Sequence, residues 1–166
     1  MASEDSSSGT KTVLVAIDGS DHSLHAFNWY LEHFHQDNHI IGLAHIYTLP
    51  DHRNFSKRHH GDALQALDCQ QYEQDVKKAH QDHATLIKKY QNICTEKGLP
   101  NREFCREKKA SIGEEICELA KENEVCCIVM GQRGIGVIER TLFGSVSEYV
   151  LHHAKTTVVL VPPKKK

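Results

Sequence analysis

Short apolar runs alternate along the chain with longer stretches in which apolar residues recur every three or four positions. Residues 12–18 (TVLVAID) form a β-branched run stopped by Asp18-Gly19-Ser20, the pattern of a buried strand. From Ser20, a favourable helix N-cap, Leu24, Phe27, Leu31 and Phe34 mark one face of a helix. A second strand is expected over 39–49 (HIIGLAHIYTL), ended by Pro50, and residues 50–63 have no apolar period and read as a long polar loop. Val76, Ala79, His83, Leu86, Tyr90 and Ile93 then step along a long helix that Gly98 and Pro100 should stop. Residues 102–110 alternate as a partly exposed strand would. Ser111 with Glu114 makes a capping box for a helix carrying Ile112, Ile116 and Leu119. Residues 125–131 (VCCIVMG) are apolar on both faces, as in a central strand. Ser145 with Glu148 repeats the capping-box pattern, with Val146, Val150 and His153 on one helical face, and 156–162 (TTVVLVP) is the last strand.

Strands and helices in strict alternation predict an α/β fold: one parallel sheet covered by helices on both faces. The expected organisation is a disordered leader over 1–10, one domain over 11–162 and a basic tail over 163–166. No internal repeat or linker divides it.

Composition narrows the function classes. The chain has 166 residues, 39% hydrophobic and 25% charged, the balance of a single domain with a substantial core. No apolar run of about 18 residues occurs, so no membrane span is expected. The acidic, serine-rich N-terminus lacks an apolar signal segment, so the expected location is cytoplasmic. A net charge of -2 argues against nucleic acid as a partner. The six cysteines form no CxxC pair and read as small core residues in a reducing compartment. Thirteen histidines are an unusual number, and their titration between about pH 5 and 8 is a possible route to altered charge or assembly. No zinc-type spacing of Cys and His is present, so no metal site is expected, and His83 reads as a packed core histidine.

The chemistry concentrates where the fourth strand gives way to the last helix. Gly131, Gly134, Gly136 and Gly144 fall in this passage. A Walker A loop needs Lys before Ser145, which is absent, and a dinucleotide fingerprint needs glycine where Glu139 stands. What remains is G-x-x-G, nine residues, then G-S: Gly131, Gly134, Gly144 and Ser145. Glycines at a strand end let backbone N–H groups approach an anion, and a helix N-terminus adds unsatisfied donors. On spacing alone, an anion cradle and a plain glycine turn both stay open. A Ser–His–Asp hydrolase built from Ser145, His152 or His153 and Asp18 is set aside because no G-x-S-x-G elbow is present.

This loop, with 13–23 (VLVAIDGSDHS) and 42–47 (GLAHIY), closely resembles the universal stress protein family, in its ATP-binding branch. The branch is marked by G-2x-G-9x-G-[ST], which Gly131, Gly134, Gly144 and Ser145 match, and the resemblance runs from about Lys11 to Val161. It implies a single-domain open five-stranded parallel sheet of strand order 3-2-1-4-5. Its ligand would be ATP, or ADP or AMP, with Mg2+ held mainly by phosphates. It further implies that Ala16, Ile17 and Asp18 line the adenosine end and that Ile46 packs on the base. Met130 and Gly131 would contact the nucleoside, and Gly134, Gly144, Ser145, Val146 and Ser147 would hold ribose and phosphates. Arg133 would keep a cation near the phosphates, and Arg53, Lys57 or Arg58 could fold over them. A homodimer through the final strand, 156–162, is implied too. The role is that of a nucleotide-dependent stress-response regulator; weak ATP hydrolysis, or an interaction module with an empty pocket, are its alternatives.

Overall fold

The computed structural model describes residues 9–51, 62–132 and 144–164, with only the backbone of 62–68. Five strands and four helices alternate: β1 (Lys11–Ala16), α1 (Asp21–His33), β2 (His39–Tyr47), α2 (Asp62–Glu96), β3 (Asn101–Glu107), α3 (Ile112–Glu122), β4 (Cys127–Gly131), α4 (Ser145–His153) and β5 (Thr157–Val161). The strands form one parallel sheet in the order β3-β2-β1-β4-β5, the expected architecture.

Side-chain alternation along β1 explains why the sheet needs two cores. Val13 and Val15 point to one face, where they meet Phe27 and Tyr30 of α1 and Ile87, Tyr90 and Cys94 of α2. Leu14 points the other way, with Ala44, Ile46, Ile128 and Met130, against Ile116, Leu119 and Ala120 of α3 and Val150 of α4. All three β1 side chains are fully buried. A strand so covered can be apolar throughout.

Helix starts follow local chemistry. Ser20 caps α1 by accepting from the Ser23 N–H at 3.2 Å, and Ser111 caps α3 by accepting from the Glu114 N–H at 3.2 Å. The expected cap at Ser145 is one residue late. Gly144 is the N-cap of α4, with extended backbone and no side-chain cap bond, and Ser145 is the first helical residue. Two helix faces differ in part from expectation. On α1, Phe27 is buried and Leu24 and Leu31 pack on the core, joined by Ser23, Ala26 and Tyr30, but Phe34 is exposed; on α4, Val146 and Val150 pack on the core but His153 is exposed. Cys126 and Cys69 are exposed, so only part of the cysteine set is core; Cys94 and Cys127 are buried.

One polar knot lies within the α3 face. Glu115 is 3% exposed and accepts from the N–H groups of Ala110 at 2.9 Å and Lys109 at 3.0 Å. Arg106 of β3 lies 3.5 Å from its carboxylate and also pairs with Glu118 and Glu122 on the outer side of α3. The Ala110 N–H above all, then the Lys109 N–H and Arg106, hold the Glu115 carboxyl below the usual range, against the opposing effect of burial. Glu115→Gln should therefore lower stability by about 1–3 kcal/mol near neutral pH, because charge-assisted bonds to buried donors are lost. Because the folded carboxyl has the depressed pKa, its contribution is complete above the unfolded value of about 4.3 and is lost as pH falls through the folded one. Urea unfolding of parent and variant should converge toward acid pH; a constant gap would contradict this account.

Candidate functional site

Both β1 and β4 end at the same edge of the sheet, and the chain leaves them toward opposite faces. From β1 it enters α1, which packs on the Val13–Val15 face; α4, which follows β4 in the element order, packs on the Leu14 face. Open α/β sheets bind ligands where the strand order reverses in this way. A cavity of about 770 Å³, counting space open to solvent, lies there.

Its lining is divided by chemistry. Ala44 and Ile46 of β2, Ile112 and Ile116 of α3 and Met130 of β4 supply an apolar wall. Ile112 is 37% exposed, a large apolar side chain at the start of α3 that lines the opening. Polar groups line it too: Asp18, Ser20, His22 and Ser23 from the turn into α1, and Gly144, Ser145 and Ser147 at the start of α4.

The turn after β1 is tied down by its own side chains. Asp18 Oδ1 accepts from the Ser20 N–H at 3.0 Å and from the Ser20 hydroxyl at 2.6 Å. Ser23 donates its hydroxyl to the Ser20 carbonyl at 3.0 Å and accepts from the Asp18 N–H at 3.4 Å. Upstream, the Ile17 N–H donates to the Ala44 carbonyl at 2.8 Å, so pairing with β2 continues past the end of β1 and places Ile17 and Asp18 at the cavity.

At α4, the N–H groups of the first turn have no intrahelical acceptor, as at any helix start, and the N-cap residue, Gly144, has no side chain to cap them. The Ser147 hydroxyl donates to the Gly144 carbonyl at 2.9 Å and so is engaged within its own turn. The result is a set of backbone donors, with the positive end of a helix dipole, beside an apolar wall. That combination suits a ligand with a flat apolar part and an anionic part.

The two glycines of the site do different work. A Cβ on Gly131 would lie 2.4 Å from the His22 carbonyl oxygen, so this glycine lets the first turn of α1 press against the end of β4. Among the described residues, a Cβ on Gly144 would meet the Ser147 hydroxyl at 3.8 Å, an ordinary contact.

Of the residues expected from sequence, Ala16, Ile17, Asp18, Ile46, Met130, Gly131, Gly144, Ser145, Val146 and Ser147 all line the one cavity. Arg133, Gly134, Arg53, Lys57 and Arg58 lie outside the described residues. Sequence reasoning missed Ser20, His22, Ser23, Ala44, Ile112 and Ile116. Ala44 could have been found from strand period, because it lies two residues before Ile46 on the same face.

The chain belongs to the universal stress protein family, whose model matches residues 9–162. A Staphylococcus haemolyticus protein named for this family is 30% identical over 154 residues, spanning 91% of this chain and 84% of its own length. Among solved structures, an Arabidopsis thaliana universal stress family protein with AMP bound superposes with a TM-score of 0.64 at 20% identity, covering 93% of this chain and 92% of its own. A universal stress protein in complex with cAMP superposes with a TM-score of 0.54 at 22% identity, over 93% and 98% of the two chains. No helix among the described residues is long and apolar enough to cross a membrane.

Gly131→Ala should destabilise the ligand-free protein by about 1–3 kcal/mol, since its methyl group would meet backbone rather than a movable side chain. Gly144→Thr keeps a residue suited to the N-cap and should change that stability by no more than about 0.5 kcal/mol. Thermal unfolding of the two variants without ligand checks the contrast; equal losses would refute the division of roles.

Proposed function

We propose that this cavity binds an adenine nucleotide and that the protein acts as a nucleotide-dependent regulator in a stress response. The observation that carries the reading is the pairing of an apolar slot with the uncapped N-terminus of α4 in one cavity at the β1–β4 switch point. The base would enter between Ile46 and Met130, near Ile112 and Ile116. Ribose and phosphates would run toward Gly144, Ser145, Val146 and Ser147, with Asp18 at the nucleoside end and Arg133 and Gly134 completing the phosphate side. The bound AMP and cAMP of the two structural relatives support this choice of ligand class. ATP is the form proposed for this chain, with Mg2+ held mainly by the phosphates and water.

The same reading extends to assembly. Among the described residues β5 pairs with β4 alone, and its other edge belongs to the largely β-branched run Thr157–Val161. Such an edge invites pairing with another strand, and a second copy of this chain is the proposed partner. Sedimentation across a concentration series should show a dimer that Val159→Lys weakens.

Binding is tested by calorimetric titration with ATP, ADP, AMP and GTP, with and without Mg2+. At ligand about 100 times Kd, stabilisation should be about 2.7 kcal/mol, a midpoint rise of roughly 5–10 °C for a domain of this size. Gly144→Thr places a branched side chain where phosphate approaches and should abolish that rise. Equal stabilisation of parent and variant would defeat the site assignment, and no response to any adenine nucleotide would defeat the function.

A further inference from the structure

On the sheet face opposite the Ile46 side of the cavity, β2, β3 and α2 bring together a second group of reactive side chains. Glu103 and Cys105 are two residues apart on β3 and so project to one face. His83 of α2 lies over them, with Nε2 3.5 Å from a Glu103 carboxylate oxygen. One ligand atom from each of His83, Glu103 and Cys105 lies within 4.8 Å of the others. We propose that these three side chains form a binding site for a divalent transition metal of the zinc type, independent of the nucleotide reading.

Three observations favour a cation over a simple ion pair. The first is the donor set: a thiol, an imidazole and a carboxylate converging on one point are the ligand types that zinc combines. The second is the state of His83. Its side chain is 13% exposed, and its Nδ1 is buried with no hydrogen-bond partner among the described residues. The ring is thus held with Nε2 turned to the Glu103 carboxylate, where the cation would sit, and Nδ1 takes no part in the site. The third is its packing: the ring stacks on His45, at 5.3 Å between centroids and 10° between planes, and on Tyr47, at 4.5 Å and 26°. A ligand held between two other rings loses little freedom when a metal binds.

The remaining adjustment is small. Ligand atoms around a tetrahedral zinc lie about 3.5 Å apart, so the three atoms need to close by roughly 1 Å. Glu103, 44% exposed at its side chain, is free to make that movement. Three protein ligands leave a fourth position for water or for a nearby imidazole. His45, in register with Cys105 on the adjoining strand, is one such group. Its Nδ1 donates to the Ile17 carbonyl at 2.8 Å, so Nε2 is the ring nitrogen left to act as a ligand. The thiol is protonated without a cation, because burial first and the Glu103 carboxylate second push Cys105 up to about 12; metal binding therefore releases a proton.

Co2+ serves as the spectroscopic probe and Zn2+ as its competitor, added to the full chain after chelator treatment and dialysis. The expected result is one equivalent of Co2+ bound with a thiolate-to-cobalt charge-transfer band in the near ultraviolet, bleached by Zn2+. Cys105→Ser should remove the band, while Cys126→Ser, at an exposed cysteine, should retain it. His83→Gln and Glu103→Gln should each weaken Co2+ binding by about tenfold or more. Glu103→Gln alters a largely accessible side chain, so it remains informative if His83→Gln fails to fold. No band in the parent protein, a band that survives Cys105→Ser, or full affinity in Glu103→Gln would each overturn the proposal. None of these readouts depends on nucleotide.

Discussion

The close approach of α1 to the end of β4 is the contact on which the rest of this structure depends. The first turn of α1 comes near enough to Gly131 that its His22 carbonyl occupies the space of a β-carbon. With α1 pressed down on one face and α4 starting from the other, the ends of β1 and β4 open into a crevice instead of closing over each other. Packing therefore creates the cavity, and the glycine demanded by packing stands at its rim. The position of Gly144 is different, because among the described residues a side chain there would meet nothing closer than the Ser147 hydroxyl at 3.8 Å.

That contact also bears on which residues of α1 are buried. Of the expected stripe, Phe27 is buried and Leu24 and Leu31 pack against the same core, while Phe34 is exposed. The small Ser23 and Ala26 are buried near the helix start, and the larger Phe27 and Tyr30 fill the space further along. Strands, by contrast, were legible almost to their ends, since β-branched runs bounded by turn residues have few other uses. The α4 cap was misplaced by one residue for a related reason. Ser145 has the side chain of a cap, but the backbone turns at Gly144, where a ligand would need room.

The site was legible to the extent that it is made of motif. Asp18, Gly131, Gly144 and Ser145 stand out by residue type and spacing, whereas Ala44, Ile112 and Ile116 are ordinary members of apolar stripes. Only the tertiary fold shows that those stripes continue past the core and line an opening. The His83, Glu103 and Cys105 group was illegible for a stronger reason. Glu103 and Cys105 are two residues apart on β3 but His83 lies twenty residues earlier, on α2, so a rule built on local Cys and His intervals could not find them. His83 was expected to be a packed core histidine; it is packed, between His45 and Tyr47, but with one ring nitrogen unsatisfied.

Between the two faces stands the end of β1, held to β2 by a pair of opposed hydrogen bonds. The Ile17 N–H donates to the Ala44 carbonyl, and the Ile17 carbonyl accepts from His45 Nδ1, both at 2.8 Å. A carbonyl can only accept, so this bond requires a proton on Nδ1 of His45. Ile17 and Asp18 form part of the cavity lining, while the His45 ring stacks on His83 on the face that α2 covers. One histidine side chain thus meets both the Ile17 backbone at the edge of the cavity and the His83 ring under α2.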